Sequence, residues 1–313
     1  MRLDHWIKQL FIMPGYVVAI LLTKVRLDVE LLWKFLPGFF AICLLASANY
    51  VINEWLDAEF DKYHPIKKNR SVVTEDVKGC VVYTLWASLS VGGFVISWFV
   101  NLPFLVMGVF LWLMGVVYNV RPFRTKDIPF LDVLSESVNN AIRLLMGWFI
   151  ITELFFPPCS LIFGYWMGGA YLMATKRYAE YRMINDRALA ALYRKSFRYY
   201  SEKSLLISAL FYAMTSVFFI GIFLVKYRVE LVLFIPILIG LFCYYLNLSF
   251  SGDSPVQRPE KLFHEKGLML YCFITAACFV ILLFVDIRQL SFLTSVRLLP
   301  LPEVITQLGN NAK

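Results

Sequence analysis

The sequence predicts an all-α polytopic membrane protein with about nine transmembrane helices. Of its 313 residues, 59% are hydrophobic and only 17% are charged, and the mean hydropathy is +0.66. Soluble globular domains carry a larger charged fraction, about 25%. Apolar segments also recur along the chain, most of them close to the ~20 residues that a helix needs to cross a bilayer. A soluble domain is therefore excluded.

Nine apolar segments are interpreted as spans. They cover residues 11–23, 35–52, 79–100, 102–118, 129–151, 160–175, 205–225, 231–250 and 268–285. The first is short and is interrupted by Pro14 and Gly15. No small-residue cleavage site follows it, so we predict no signal peptide. We expect one transmembrane domain over residues 1–285 and a polar C-terminal tail over residues 286–313.

Most of the 30 Lys and Arg residues fall on one side of these spans. That side comprises the N-terminus and the loops over residues 53–78, 119–128, 176–204 and 251–267. By the positive-inside rule, these segments face the cytoplasm. We therefore predict an integral protein of the cytoplasmic membrane with its N-terminus and basic loops inside. The net charge of +8 then reflects topology and anionic ligands, and no nucleic-acid partner is predicted.

The second span ends in a polar stretch over residues 49–73. Within it, polar side chains recur at steps of four residues: Asn49, Asn53, Asp57 and Asp61. On a helix, each such step turns by only ~40° and rises ~6 Å, so the side chains form one slowly winding stripe. A solvated last turn is the simple explanation of the two aspartates. The two asparagines favour a functional stripe, because polar side chains are costly inside apolar sequence.

Cationic residues follow the stripe directly. They are Lys67, Lys68 and Arg70. Mg²⁺ typically takes one or two protein carboxylates together with substrate phosphates, and Lys and Arg neutralise the remaining phosphate charge. The order of acidic and then basic groups predicts a Mg²⁺ site that carries a phosphate-rich ligand.

The fifth span carries a second polar face. Spacings of four, four and three residues place its members on one side of a helix: Asp132, Glu136, Asn140 and Arg143. Ionisable residues inside a span are expensive, so this face is expected to line a central cavity that opens to the cytoplasmic side. A buried polar network that fixes the helix register is the alternative.

The polar stretch also carries a family resemblance. Residues 53–61, NEWLDAEFD, resemble the NDxxDxxxD motif of the UbiA-type intramembrane prenyltransferase superfamily, with Glu54 in place of the first Asp. Residues 61–70, DKYHPIKKNR, are similar to the D-R-x-H-P-x-K-x-x-R-P motif of its decaprenyl-phosphate phosphoribosyltransferase branch, although Ser71 replaces the final Pro. Residues 6–11, WIKQLF, are similar to the QWxKNLF opening of that branch. This similarity implies that Lys8 lies near the phosphates; an interfacial anchor is the alternative.

The resemblance extends to the loop after the fourth span. In the superfamily, a Tyr followed by Pro and then by Arg or Lys occupies this place. The resemblance implies that Tyr118 and Lys126 meet the phosphates of the substrate. For Arg121 and Arg124, ordinary positive-inside charge explains the sequence equally well.

The loop after the sixth span departs from the wider superfamily. The superfamily has a second aspartate motif here, DxxxD, whereas this chain has Lys176, Arg177 and Glu180, as in the phosphoribosyltransferase branch. One carboxylate cluster facing several bases suits a ligand with more phosphate than a diphosphate. An exposed Lys176–Glu180 pair, worth a few tenths of a kcal/mol, is the alternative. The following basic and aromatic residues, 186–204, are expected to form an interfacial amphipathic helix.

The resemblance implies Mg²⁺-dependent transfer of 5-phosphoribose from phosphoribosyl diphosphate to a polyprenyl phosphate in the bilayer. The implied metal ligands and catalytic residues are Asn53, Asp57 and Asp61. The implied phosphate-binding residues are Lys8, Lys67, Lys68, Arg70, Tyr118, Lys126, Lys176 and Arg177. The expected cavity-lining residues are Asn49, Asp132, Glu136, Arg143 and Glu180.

Two other functions stay open. One is prenyl transfer from a polyprenyl diphosphate to an aromatic or lipid acceptor, which the superfamily as a whole favours. The other is a membrane transporter in which the polar residues form a substrate path. Charges clustered at one end, without broken helices in matching halves of the sequence, argue against the transporter.

Overall fold

The computed structural model describes residues 3–25, 28–69, 71–74, 77–252, 254–257, 262, 264–287 and 290. All of the regular secondary structure in these residues is helical, which confirms the predicted all-α class. Most of the predicted C-terminal tail, and Arg70, lie outside the described residues.

The described α-helices form a bundle with short connections. They are α1 (Met13–Thr23), α2 (Val29–Asp61), α3 (Ser71–Thr74), α4 (Gly79–Val100), α5 (Leu102–Asn119), α6 (Leu131–Ile151), α7 (Cys159–Ile184), α8 (Arg187–Tyr193), α9 (Glu202–Tyr227), α10 (Phe234–Ser249) and α11 (Lys266–Phe284). Short 3-10 helices cover Leu3–Ile12, Lys67–Asn69, Thr125–Asp127, Lys195–Arg198, Val229–Leu233 and Pro255–Gln257.

Six described helical segments are long and apolar enough to cross a membrane. They are Val29–Asp61, Gly79–Val100, Leu102–Asn119, Glu202–Tyr227, Val229–Ser249 and Lys266–Phe284. The remaining predicted spans also coincide with helices, namely α1, α6 and α7. However, α1 has only 11 residues, and α6 carries the charged residues of the predicted polar face. Length and composition therefore support an integral membrane protein with six clear spans.

Side-chain caps determine where several helices begin. Asp28 accepts a hydrogen bond from the backbone amide of Leu31 at 3.1 Å and starts α2. Asn101 accepts from the amide of Phe104 at 2.8 Å and starts α5, while its own amide donates to the Phe149 carbonyl at 2.6 Å. Each cap is worth about 1 kcal/mol. The Asn101 side chain also ties the turn between α4 and α5 to α6.

The main hydrophobic core lies between α1, α2, α5 and α6. Close approach of α1 to α6 depends on two glycines. A Cβ atom on Gly15 would lie 1.9 Å from the Leu144 carbonyl oxygen, and one on Gly147 would lie 2.2 Å from the Ile12 carbonyl oxygen. Any larger residue at either position would push α1 away from α6, which carries part of the polar cavity described below.

The segment after α7 does not form the expected amphipathic helix. The helix α8 has only seven residues and is followed by a 3-10 turn. Tyr193, Phe197 and Tyr200 of this segment are almost completely buried, in a cluster with Tyr178 of α7. A long amphipathic helix would spread its apolar face along one surface, whereas these aromatic side chains pack inward. The segment therefore folds over the end of α7 and reaches the cavity.

Candidate active site

A polar cavity of about 680 Å³ lies between α2, α5, α6 and α7. The loop after α2, the loop between α5 and α6, and the end of α8 contribute to its wall, as do residues of the N-terminal 3-10 helix, of α10 and of the segment after α10. We call the end formed by the two loops and α8 the loop end. The inner end lies three turns into α6, around Arg143. Three of the segments that the sequence predicts to be basic, residues 53–78, 119–128 and 176–204, thus meet at one end of one cavity.

All four members of the α2 stripe line this cavity: Asn49, Asn53, Asp57 and Asp61. Asn49 donates from Nδ2 to the Leu111 carbonyl at 2.9 Å. A Cβ atom on Gly115 would lie 2.1 Å from the Asn49 side chain, so glycine at this position of α5 leaves room for the amide. Asp61 is buried, and the Asp57 side chain is 21% exposed. The four-residue spacing therefore turns one polar side of α2 into the cavity.

Two cations from the loop between α5 and α6 neutralise Asp57. Arg124 Nη2 lies 3.1 Å from Asp57 Oδ1, and Lys126 Nζ pairs with the same oxygen. Lys126 also donates to Asn119 Oδ1 at 2.8 Å. Burial lowers the pKa of Lys126 to about 8, although the Asp57 carboxylate opposes this shift. Lys126 is thus held at the loop end as a desolvated cation whose charge depends on pH near neutrality.

On the opposite wall, Arg177 of α7 is the centre of a buried ion network. Its Nη1 lies 3.0 Å from Glu180 Oε2, its Nε lies 3.6 Å from Asp132 Oδ2, and its Nη2 pairs with Glu136. The side chain of Arg177 is 1% exposed. Since isolated buried charges are very costly, each member of this network depends on the others.

Lys67 joins the loop after α2 to the same network. Its Nζ lies 3.0 Å from Glu180 Oε1 and donates to the Tyr193 hydroxyl. Burial would lower the pKa of Lys67, but the Glu180 carboxylate and Tyr193 outweigh it and hold the pKa above its usual range. His64 Nδ1 accepts hydrogen bonds from the backbone amides of Ile66 and Lys67, each at 3.1 Å. The imidazole therefore fixes the loop that presents Lys67.

Tyr118 connects α5 to this wall. Its hydroxyl donates to Glu136 Oε2 at 2.8 Å and accepts from Arg177 Nη2 at 3.1 Å and from Arg194 Nη1 at 3.3 Å. Both Tyr118 and Arg194 line the cavity. The phenol is therefore held by protein groups on three sides.

The inner end is formed by α6 and the N-terminal 3-10 helix. Arg143 Nε donates to Gln9 Oε1 at 2.8 Å, and its Nη1 donates to Asn140 Oδ1 at 3.1 Å. Lys8 also lines the cavity, with its Nζ 5.8 Å from the centre of the Tyr50 ring. The amino end of the chain therefore contributes to the cavity wall, and the phosphate contact that the resemblance implies for Lys8 stays a prediction.

Two predicted site residues lie away from the cavity. Asp132 was expected to line it, but its side chain is fully buried behind the wall and accepts from Tyr200 Oη at 2.7 Å and Ser196 Oγ at 3.1 Å. The segment after α8 covers it, which the helix spacing of α6 does not reveal. Lys68 is exposed and is not part of the wall. A third residue, Arg70, lies outside the described residues.

Four residues that line the cavity were not assigned to it from the sequence. Tyr193, Arg194 and Asn119 received no role, and Arg124 was explained equally well by positive-inside charge. Tyr193 and Arg194 sit at the end of a seven-residue helix, too short for a periodic pattern. The only sequence feature that pointed to these two residues was the basic and aromatic composition around them. That composition indicated a helix at the membrane surface instead of a cavity wall. Asn119 is the last residue of α5, where its position next to a predicted phosphate-binding loop was a usable signal.

The oxygen donors of the α2 stripe suit a hard divalent cation. Within the described residues, no three or more His, Cys, Asp or Glu side chains cluster in a way that could hold a metal on their own. Asn53, Asp57 and Asp61 offer one amide and two carboxylate groups on successive turns of α2. Mg²⁺ accepts such a partial set because it keeps waters and takes substrate phosphates as further ligands. The donor set therefore fits Mg²⁺ with a phosphate ligand.

Curated proteins that are similar in sequence to this chain carry the name of the branch that the motifs resemble. The decaprenyl-phosphate phosphoribosyltransferase of Mycolicibacterium smegmatis is 29% identical over 217 residues, covering 65% of this chain and 62% of the relative. The enzyme of the same name from Mycobacterium tuberculosis H37Rv is 30% identical over 214 residues, covering 64% of each chain. The matched region thus spans less than two thirds of either relative.

Solved structures share the fold. A UbiA homologue from Archaeoglobus fulgidus, bound to DMAPP and Mg²⁺, superposes with a TM-score of 0.65 at 15% identity, covering 89% of this chain and 96% of the homologue. The apo UbiA homologue from Aeropyrum pernix K1 gives a TM-score of 0.64 at 14% identity, covering 90% and 98%. The family model for the UbiA prenyltransferase family matches residues 11–274. The chain therefore belongs to the UbiA prenyltransferase family.

Proposed function

We propose that this protein transfers 5-phosphoribose from phosphoribosyl diphosphate to a polyprenyl phosphate and releases diphosphate, in the presence of Mg²⁺. The curated relatives that carry this branch name support the proposal. The structural observation that carries it is the charge of the wall opposite α2. That wall presents Lys176, Arg177 and Arg194 to the cavity instead of a second open pair of carboxylates.

The charge balance of the cavity favours a donor with more than a diphosphate. On the wall opposite α2, Glu136 and Glu180 are both paired with Arg177, so neither is open to a second metal ion. Lys176 lines the cavity beside them. A single carboxylate stripe on α2 that faces several cations across the cavity suits one metal–diphosphate group together with a further phosphate. Phosphoribosyl diphosphate has this composition because it carries a 5-phosphate as well.

Asn53, Asp57 and Asp61 would hold Mg²⁺, which when bound supplies charge neutralisation for the departing diphosphate. The chain's own cations act on the same oxygens. Lys126 and Lys67 stand at the loop end on either side of the cavity and can donate to phosphate oxygens. Such donors stabilise a leaving group most where charge develops during the reaction.

The chemistry requires no strong general base. An oxygen of the polyprenyl phosphate attacks C1 of the ribose, and the bond between C1 and the diphosphate oxygen breaks, with its electron pair leaving on diphosphate. A phosphate monoester is already anionic near neutral pH. In agreement, His64 Nδ1 is occupied by two backbone amides, which suits a structural role.

The six apolar helices and the family support catalysis within a membrane. We further propose that the loop end faces the cytoplasm, because the basic loops converge there and the positive-inside rule places them inside. A water-soluble donor would then enter from the cytoplasm, and the lipid acceptor would enter from the bilayer.

Prenyl transfer from a prenyl diphosphate is the second candidate. The Archaeoglobus fulgidus homologue with DMAPP and Mg²⁺ bound favours it, since this chain shares that fold. The two candidates share the α2 stripe and differ in which compound supplies the diphosphate.

The deciding experiment uses purified protein in lipid nanodiscs with Mg²⁺. One reaction contains phosphoribosyl diphosphate labelled in the ribose and a polyprenyl phosphate; another contains a labelled prenyl diphosphate with aromatic acceptors. We expect label from the ribose in the lipid fraction and none when polyprenol replaces polyprenyl phosphate. Label transferred only from the prenyl diphosphate would contradict the proposal and establish the second candidate.

A further inference from the structure

Arg143 differs from the buried cations at the loop end. Four of those cations are paired with carboxylates: Arg124 and Lys126 with Asp57, Lys67 with Glu180, and Arg177 with three acidic residues. No described carboxylate forms an ion pair with Arg143, whose hydrogen bonds go to the neutral side chains of Gln9 and Asn140. Its positive charge is therefore oriented by the protein but not neutralised by it.

Arg143 also lies deep in the apolar bundle. It is 12 residues into α6, which begins at Leu131, so it stands ~18 Å along the helix from the loop end. A charge at such depth is expensive and marks a partner or a pathway. Because Arg143 lines the cavity, an anionic ligand inside the cavity can supply the missing counter-charge.

The neighbours of Arg143 are built to keep it in place. Asn140 packs against Gly169 of α7, where a Cβ atom would lie 2.6 Å from the Asn140 amide nitrogen. Gln9, which accepts the second hydrogen bond, is fully buried. The guanidinium is thus held from two elements, which reduces the entropy lost when it binds an anion.

Apolar residues also line the cavity near this inner end and on the way to it. Phe11 follows Gln9 by two residues, and Leu172 and Met173 lie about one turn of α7 from Gly169 toward the loop end; all three line the cavity. A rigid cation beside apolar side chains suits a phosphate attached to a hydrocarbon chain. A soluble sugar phosphate would gain little from those apolar contacts.

We propose that Arg143, positioned by Asn140 and Gln9, is a separate phosphate subsite that holds the phosphate of the polyprenyl acceptor. The inference rests on the proposed function and refines it, since it divides the cavity into a donor site at the loop end and an acceptor site at the inner end. A single cavity can then hold two anionic substrates facing each other. The cations at the loop end bind the donor, and Arg143 binds the acceptor.

The test measures equilibrium binding of three probes to purified protein: farnesyl phosphate, farnesol and phosphoribosyl diphosphate. The variants are Arg143→Gln and Arg143→Lys, with Arg182→Gln as an exposed control. We expect Arg143→Gln to weaken farnesyl phosphate binding by about tenfold or more, because a charge-assisted contact is lost. Farnesol and phosphoribosyl diphosphate binding should change less than about twofold. Arg143→Lys should restore part of the farnesyl phosphate affinity and guards against misfolding of the Gln variant.

Several outcomes would overturn this inference. One is farnesyl phosphate binding to the wild-type protein no tighter than farnesol. Another is loss of phosphoribosyl diphosphate affinity in both Arg143 variants, which would assign Arg143 to the 5-phosphate of the donor. A wild-type protein that fails to bind phosphoribosyl diphosphate contradicts the proposed function instead. In that case the farnesyl phosphate measurements still decide the phosphate subsite by themselves.

Discussion

The two walls of the cavity hold their charges differently. On the α2 wall, Asp57 is 21% exposed and is neutralised by two cations from one short loop. On the wall opposite α2, called the α7 wall below, Arg177 is 1% exposed and contacts carboxylates from both α6 and α7. We therefore expect Asp57 to exchange partners when a ligand arrives and Arg177 to keep its partners. Substitution of Asp57 should mainly affect binding and turnover, and substitution of Arg177 should mainly affect stability.

The largest expected effect is that of Asp57→Asn on the α2 wall. We expect transfer from phosphoribosyl diphosphate to fall by about 100-fold or more at saturating Mg²⁺, because the variant removes a charged ligand next to the departing diphosphate. The matched control is Glu59→Gln, an exposed acid two residues away on the same helix, which should keep near-wild-type activity. Equal activity of the two variants would mean that the stripe does not bind the metal.

Substitution of Arg177 tests the α7 wall. We expect Arg177→Gln to lower the free energy of unfolding by about 3–5 kcal/mol, because Glu136, Glu180 and Asp132 would each lose a cationic partner in a buried network. Arg182→Gln on the same helix, whose side chain is 39% exposed, should change it by less than about 0.5 kcal/mol. Denaturant titration of the detergent-solubilised protein measures both. If Arg177→Gln kept the wild-type stability and only bound substrate more weakly, Arg177 would be a ligand contact and not a structural residue.

Lys126 gives the α2 wall a pH dependence. Burial lowers its pKa from the ordinary value of 10.5 to about 8, so in the ligand-free protein it loses its charge as the pH rises through about 8. Affinity for phosphoribosyl diphosphate should therefore fall above pH 8, by at most about tenfold per pH unit. In Lys126→Arg, which stays charged, the decline should disappear. Identical pH profiles of the wild-type protein and this variant would exclude Lys126 as the phosphate contact.

The same lysine has a smaller effect on stability. The pKa of Lys126 is lower in the folded protein than in the unfolded chain. Below pH 8 the lysine is charged in both states, and burying that charge lowers the free energy of unfolding by its full amount. That cost is relieved between about pH 8 and 10.5. The unfolding free energy of the wild-type protein should therefore rise in this window relative to Lys126→Met. Substrate affinity and this stability contribution thus change in opposite directions with pH.

Two neighbouring lysines in the loop after α2 should differ in their effect on donor binding. Lys67 lines the cavity, whereas Lys68 is exposed outside it. We expect Lys67→Gln to weaken phosphoribosyl diphosphate binding by about tenfold and Lys68→Gln to change it by less than about twofold. Titration calorimetry with both variants measures the difference. Equal losses in the two variants would mean that the loop binds phosphate in another arrangement.

The helical class and the α2 stripe were predictable because each depends on local spacing. A four-residue repeat brings Asn49, Asn53, Asp57 and Asp61 to one side of any regular helix, whatever surrounds it. The same rule placed Glu136, Asn140 and Arg143 together on α6. These residues line the cavity, as the spacing indicated.

Contacts between distant segments were not predictable from spacing. Asp132 has the right helical position, but the residues around Ser196 and Tyr200 fold over it and remove it from the cavity. Arg124 and Lys126 reach the same oxygen of Asp57 only because the bundle brings the α5–α6 loop to the end of α2. Such pairs depend on helix packing, which a single sequence does not encode in any repeat.

The central claim is that the α2 aspartates bind the donor diphosphate through a divalent cation. Titration calorimetry of phosphoribosyl diphosphate into wild-type protein, Asp57→Asn and Glu59→Gln, each with Mg²⁺ and with EDTA, tests it most directly. We predict that Mg²⁺ tightens binding by about tenfold or more in wild type and Glu59→Gln, and that Asp57→Asn loses this gain. Equal affinity of the wild-type protein in Mg²⁺ and in EDTA would contradict the claim.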